Sequence, residues 1–404
     1  MNGKFKAIGC GIGSAAVFRG LLGDEVISGL WQLLDGGCGD VSVNVCSYSD
    51  FVAKLYKNGA DLSEYVLKAV LEDENFYIAG KAAGKKFDPL IEKAVENELK
   101  VFQELSQVTP SEIRAELGYG GFLPEWKNTE FDFAEEYKKR IENVGQCGYG
   151  KFARNRMFIL RNGGIVPVKH PDKQSLSALF GYERERKAVI DNTLTLLSGK
   201  PTQNVLLYGD AGTGKSSTVK AVVNEFADRG LRLIEITKEQ LGDIPDIIES
   251  ISANPLKFII FIDDLSFSAD EDRFGALKAA LEGSVSARSD NAAVYATSNR
   301  RHLVKESFSS REGDNIHRND TIQETISLSA RFGLTIGFYR PDKAKYLEIV
   351  GKLAKAAGID AEKNALELKA ESFAMKCGGR SGRTAEQFIN SLRSERAKKT
   401  DACS

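Results

Sequence analysis

No stretch of this 404-residue chain approaches the ~20 consecutive apolar residues that a membrane-spanning helix needs. Metal-binding spacing is also missing: the three histidines are scattered and the six cysteines form no CxxC pair, which argues against a zinc site. Without a disulfide-type framework, those cysteines read as reduced thiols of a cytoplasmic protein. Charge of one sign is lacking too. The chain has 55 Lys and Arg against 56 Asp and Glu, a net charge of −1, so its total points to no nucleic-acid partner and excludes none. Internal repeats and low-complexity tracts are absent. What is there is ordinary globular composition, 42% hydrophobic and 27% charged, over a length that suggests two to three domains.

Residues 7–18 are small and apolar and follow Lys4 and Lys6, the outline of a secretion signal. Arg19 interrupts them, however, and apolar residues continue at helical intervals. A helix over 14–34 is therefore expected, with others over 50–73 and 88–108 and a short one from Ser111. The cluster Gly9, Gly11, Gly13 has no strand before it and does not complete a dinucleotide fingerprint. The stretch 118–128 is a loop by its Gly and Pro content, and 131–144 is helical again. Residues 157–168 read as two short strands around Asn162-Gly163-Gly164, a hairpin signal. Residues 1–170 thus form a mostly helical domain with a small β-hairpin.

Beyond residue 171 the pattern changes. Short apolar runs at 204–209, 232–237, 258–263, 292–298 and 334–339 alternate with amphipathic helices. That alternation implies an α/β domain, 171–340, built on a five-stranded parallel sheet with both faces covered. Three further helices, near 342–357, 362–376 and 382–397, make a C-terminal helical domain, 341–404.

The run Gly209-Asp210-Ala211-Gly212-Thr213-Gly214-Lys215-Ser216, with Ser217 after it, matches the P-loop pattern GxxxxGK[ST]. Glycines let main-chain N–H groups turn toward phosphate oxygens. Lys215 supplies charge to the β- and γ-phosphates of ATP, and the Ser216 hydroxyl coordinates Mg2+. The apolar strand before the motif and the helix after it are the setting it requires. A second apolar strand ends in Asp263-Asp264, which places two carboxylates where open α/β sheets bind ligands. Asp263 would hold Mg2+. Asp264 would polarise an attacking water as general base, or else cap the turn.

At this point the chain resembles the AAA+ ATPases over about 175–397, and more narrowly an uncharacterised bacterial family of AAA+ proteins. The segments LLYGDAGTGKSSTVKA, FIDDLSF, ATSNRRHL, ARFGLTIGFYRPD and GGRSGRTAEQFI carry the likeness, and GYGKFARNRMF extends it into the first domain. The resemblance implies an AAA+ P-loop NTPase whose C-terminal helices form a lid. By position it makes Asn299 the first sensor, unless Asn299 only forms the turn. It makes Arg331 a finger that reaches a neighbouring subunit's nucleotide, unless it is a surface arginine. A trans finger implies a homo-oligomer with head-to-tail contacts. Arg383 resembles the second sensor in the lid, with Arg380 as competitor. Tyr182 lies where the class places adenine, though core packing explains an aromatic there equally. The second acid is Asp264 where the class more often has Glu, which fits slow turnover or a switch. Arg300, Arg301, Arg311 and Arg318 could touch nucleic acid, with a subunit interface or solvated loop as the default.

Three functions stay open. One is an ATPase that drives conformational change on a protein client. Another is a DNA-associated loader-type ATPase, and the third is a non-catalytic, nucleotide-gated binding module.

Overall fold

The structure is a computed structural model that describes residues 3–35, 40–268, 277, 281, 290–299, 304–305, 331–360 and 362–401. By its contacts the chain divides into two compact units, Met1–Arg154 with Ala253–Leu256, and Asn155–Ser252 with Lys257–Ser404. None of the described helices is long and apolar enough to cross a membrane.

The first unit is helical. Its elements are α1 (Gly3–Gly13), α2 (Glu25–Asp35), α3 (Val41–Tyr56), α4 (Leu62–Glu72), α5 (Phe76–Ala82), α6 (Pro89–Ser106), α7 (Pro110–Leu117) and α8 (Phe133–Glu142), with the single turns α9 (Val144–Cys147) and α10 (Lys151–Arg154). Caps explain most starts. Asp61 accepts N–H bonds from Ser63 and Glu64, and Thr109 forms a capping box with Glu112 ahead of α7. Phe18 meets Phe102 and Tyr137 edge-on, at centroid distances of 5.9 and 5.2 Å, in the centre of the core.

Two expected helices break. The helix expected over 14–34 runs only from Glu25, and the one over 50–73 is split by the Asp61 cap. The first break has a cause far away in sequence. The nearly buried carboxylate of Glu98, on α6, accepts N–H bonds from Ala16, Val17 and Phe18 at 2.9–3.1 Å. Those N–H groups are thereby withdrawn from any helical ladder. The glycine cluster lies within α1, where Gly11 lets Val101 approach to 3.0 Å of a would-be Cβ.

The second unit is built on one sheet. Its strands are β1 (Met157–Arg161), β2 (Gly164–Pro167), β3 (Val205–Gly209), β4 (Leu231–Ile236), β5 (Lys257–Ile262), β7 (Ala292–Ser298) and β9 (Leu334–Phe338). A separate two-stranded pair joins β6 (Phe267–Ser268) to β8 (Val304–Lys305). In the sheet the order is β2-β1-β4-β5-β7-β3-β9, and every pair is parallel except β1–β2. The five expected parallel strands are therefore present, and the hairpin extends them to seven. That hairpin turns at Asn162 and Gly163, both with positive φ, and β1 pairs with β4. Expected as part of the helical region, it is the edge of this sheet instead: β1 is buried at Met157, Phe158 and Leu160, which a free hairpin could not achieve.

Helices α11 (Glu183–Leu197), α12 (Lys215–Phe226) and α13 (Ile244–Ile251) accompany the strands. The C-terminal helices α14 (Lys343–Ala356), α15 (Lys363–Lys376) and α16 (Gly382–Asp401) enclose their own apolar cluster, with Tyr346, Val350, Ala370 and Phe388 buried.

Candidate functional site

β3 is buried except at the half-buried Tyr208 and ends in Gly209, whose φ of 126° no L side chain adopts readily. A Cβ there would stand 2.1 Å from the Phe338 carbonyl oxygen, so only glycine lets β3 leave the sheet at this point. The loop closes when Thr213 Oγ1 donates to the Asp210 carbonyl at 2.8 Å, and α12 begins at Lys215. Ala211 is exposed at the loop's tip. Lys215 is nearly buried, and its ammonium donates to the carbonyls of Gly209 and Asp210 (2.9 and 2.8 Å) and to Asn299 Oδ1 (3.1 Å). Burial pushes its pKa below the usual lysine range, against the pull of Asp210, Asp264 and Asp263.

Strand order decides what else reaches this point. β7 lies between β5 and β3, so the ends of all three strands meet at one edge. Ser216 Oγ donates to Asp263 Oδ1 at 2.6 Å. Asn299 Nδ2 donates to Asp264 Oδ1 at 2.7 Å. Asp264 holds a left-handed backbone, φ 53°, uncommon for a residue with a side chain. Lys215, Asn299 and Asp264 thus form one hydrogen-bonded chain, and Ser216 with Asp263 a second beside it, at the helix N-terminus.

Beside the P-loop lies a recess of about 630 Å³, part of it open to solvent. Its apolar lining is Leu179, Phe180 and Tyr182 with Ile349 and Leu353 of α14. Gly212, Thr213, Gly214 and Ser217 form its phosphate-loop end. Tyr182 faces two ways. It lines the recess, and it packs in the core 5.4 Å from Phe338 while its hydroxyl donates to the Tyr339 carbonyl at 2.6 Å.

The two lid arginines separate cleanly. Arg380 is taken up within the lid, because its Nε and Nη2 donate to the two Glu371 oxygens at 2.9 and 2.7 Å. Arg383 lines the recess, and its main-chain N–H donates to the Gly212 carbonyl at 3.1 Å. Arg331 is not brought to this cluster. It precedes β9 at the sheet's opposite end, and at about 3.3 Å per residue the strand alone separates it from the P-loop by ~13 Å. Arg300, Arg301, Arg311 and Arg318 lie outside the described residues.

Sequence reasoning passed over three residues here. Thr297 bonds to both acids; strand alternation back from Asn299 would have placed it on the same face. Arg340 donates its N–H to Asp210 Oδ2 at 2.8 Å. Arg186 lines the recess and is tied to the Gly181 carbonyl. Nothing in their local sequence marks the last two.

Residues 153–396, well over half of the chain, match the family described as Protein of unknown function (DUF815). The chain belongs to this family. The chain is also similar to AAA+ proteins. It is 27% identical over 248 residues to the cell division cycle protein 48 homolog of Archaeoglobus fulgidus, covering 57% of this chain and 28% of that protein. The 26S proteasome regulatory subunit 4 homolog of Dictyostelium discoideum is 30% identical over 115 residues, 25% of this chain and 26% of that one. The DUF815 chain thus spans about a quarter of the length of these curated relatives. Among solved structures, the RuvB Holliday junction branch migration motor of Thermotoga maritima is similar over 55% of this chain and 64% of its own, with 17% identity and a TM-score of 0.38. The DUF815 chain is an AAA+ P-loop protein by its own strand order, P-loop and helical lid.

Proposed function

We propose that this protein binds ATP with Mg2+ and hydrolyses it to ADP and phosphate, using the cycle to change conformation against a protein partner. The observation that carries this reading is the cluster at the strand ends, where Ser216 and Asp263 share a hydrogen bond beside the buried ammonium of Lys215. A hydroxyl and a carboxylate oxygen are the hard donors that suit Mg2+, which keeps its remaining sites for water and phosphate. When bound, the ion supplies neutralisation of charge on the phosphate oxygens.

The chain's own residues do the rest. Lys215 and the N-terminus of α12 hold the β- and γ-phosphates. The recess between Tyr182 and α14 takes the adenine. Asn299 orients a water and Asp264 takes its proton as it attacks the γ-phosphorus. Arg383 adds charge from the lid, and Arg331 adds it from a neighbouring copy, since its own site lies too far away. The relatives that are by name 26S proteasome regulatory subunits support a protein rather than a DNA client.

The test is calorimetry with ATP and ADP plus Mg2+, followed by phosphate release. Binding with turnover is expected for the natural chain, and binding without turnover for Asp264→Asn. Folded protein that takes up neither nucleotide would end this reading. Tight binding with no turnover in the natural chain would leave a nucleotide-gated binding module.

A further inference from the structure

Thr297 sits near the C-terminal end of β7, paired with Leu207 of β3, and is 2% exposed. On the other side β5 makes its last pair, Ile262 with Ala296, and then departs. Thr297 therefore borders the point where the chain leaves the sheet to form the acid pair. A hydroxyl has one proton and two lone pairs. That of Thr297 donates to Asp263 Oδ1 at 2.5 Å and accepts the main-chain N–H of Asp264 at 2.9 Å. The Thr297 carbonyl accepts the N–H of Leu265 at 2.7 Å. One buried residue thus grips three consecutive residues of the neighbouring strand's exit.

The grip has a structural consequence. Asp264 holds a left-handed φ of 53°, a conformation uncommon outside glycine that Asp adopts more readily than most side chains. The bonds from Thr297 to either side of Asp264 hold the backbone in it. They turn the Asp264 carboxylate to the Asn299 amide and leave the Asp263 carboxylate facing the Ser216 hydroxyl. Branching at Cβ restricts the Thr297 rotamer, so the hydroxyl is held in place before any ligand arrives.

We infer that Thr297 is a positioning residue, acting through Asp263 and Asp264, that presets one acid for the metal and the other for the water. This rests on the reading of Ser216 and Asp263 as the Mg2+ ligands. Ser216 also grips Asp263, but it belongs to the phosphate loop and faces the ligand. Thr297 approaches from the buried strand.

Thr297→Val keeps the shape and removes both hydroxyl bonds. Thr297→Ser keeps the hydroxyl and loses the methyl. Calorimetry of ATP with and without Mg2+ gives the gain in affinity due to the metal, independently of turnover. That gain is expected to shrink about tenfold in Thr297→Val, the size of one charge-assisted hydrogen bond, with affinity in EDTA within about twofold of the natural chain. The serine variant is expected to keep most of the gain. Phosphate release should follow, with kcat falling about tenfold or more in the valine variant and KM for ATP changing less. If Thr297→Val fails to fold, Thr297→Ala takes its place in the same comparison. A normal metal-dependent gain in the hydroxyl-free variant overturns the inference. So does a serine variant that fails as badly as valine, because the methyl's packing would then be the cause. A natural chain that binds ATP in neither condition overturns the functional reading itself, and that failure shows before any variant is made.

Discussion

All three protons of the Lys215 ammonium have acceptors, and two of these are carbonyls of the phosphate loop itself. A triphosphate must take over at least one of them. Lys215→Ala should therefore lower ATP affinity by about a hundredfold or more in calorimetry, the scale of losing a buried charged contact. The same burial sets a pH dependence. The free protein holds Lys215 below the usual lysine range, and the negative phosphates would raise it again. Binding should thus take up a proton in alkaline solution, and affinity should fall as pH rises through the free protein's lowered pKa. Calorimetry in alkaline buffers of different ionisation enthalpy reads that uptake directly. For folding the sign is opposite: the unfolded chain binds the proton more tightly, so the stability cost of burying Lys215 shrinks as pH rises toward the unfolded pKa. Gly209 marks the other end of the loop. Gly209→Ala should cost more than about 2 kcal/mol in denaturant unfolding, because both its φ and the Phe338 carbonyl oppose a Cβ.

Elements show where local reading succeeds and where it does not. The P-loop, its strand and its helix lie within one continuous segment, so the pattern of residues states their arrangement directly. The strands at 205–209, 231–236, 257–262, 292–298 and 334–338 differ from their expected ranges by at most a residue at either end, because each is a largely apolar run closed by polar or turn residues. The break before α2 was not legible, since its cause is Glu98 about eighty residues away. Glu98→Ala should cost about 3 kcal/mol in unfolding, by leaving the buried N–H groups of Val17 and Phe18 without acceptors. In the lid, Arg380 and Arg383 look alike in sequence and do different things in space. Arg380→Ala should lower the melting temperature while sparing ATP affinity, because its partner Glu371 is within the lid. Arg383→Ala should do the reverse, and thermal unfolding with calorimetry separates the two.

At the scale of the whole molecule the open matter is Arg331. It belongs to the same compact unit as the P-loop yet precedes the far end of β9, so a role in hydrolysis requires a second copy of the chain. Arg331→Ala should bind ATP normally and release phosphate at least about a hundredfold more slowly, as expected for loss of an arginine finger. Mixing it with Lys215→Ala tests the geometry. The Lys215 variant has a silent site but an intact Arg331, so in an assembly it can complement its neighbour. Phosphate release above the sum of the separate variants supports the trans arrangement, and simple addition removes it.

By itself the sequence determined the P-loop class, the parallel strands and the residues at the head of α12, because each depends on contiguous pattern: apolar runs, glycine spacing and a strand ending in acids. Only the tertiary structure decided that the hairpin completes the sheet, that Thr297 grips both acids, and which lid arginine lines the recess. These depend on strand order and on contacts between residues far apart in the chain, where local pattern carries no information because the energy that selects them comes from pairing and burial.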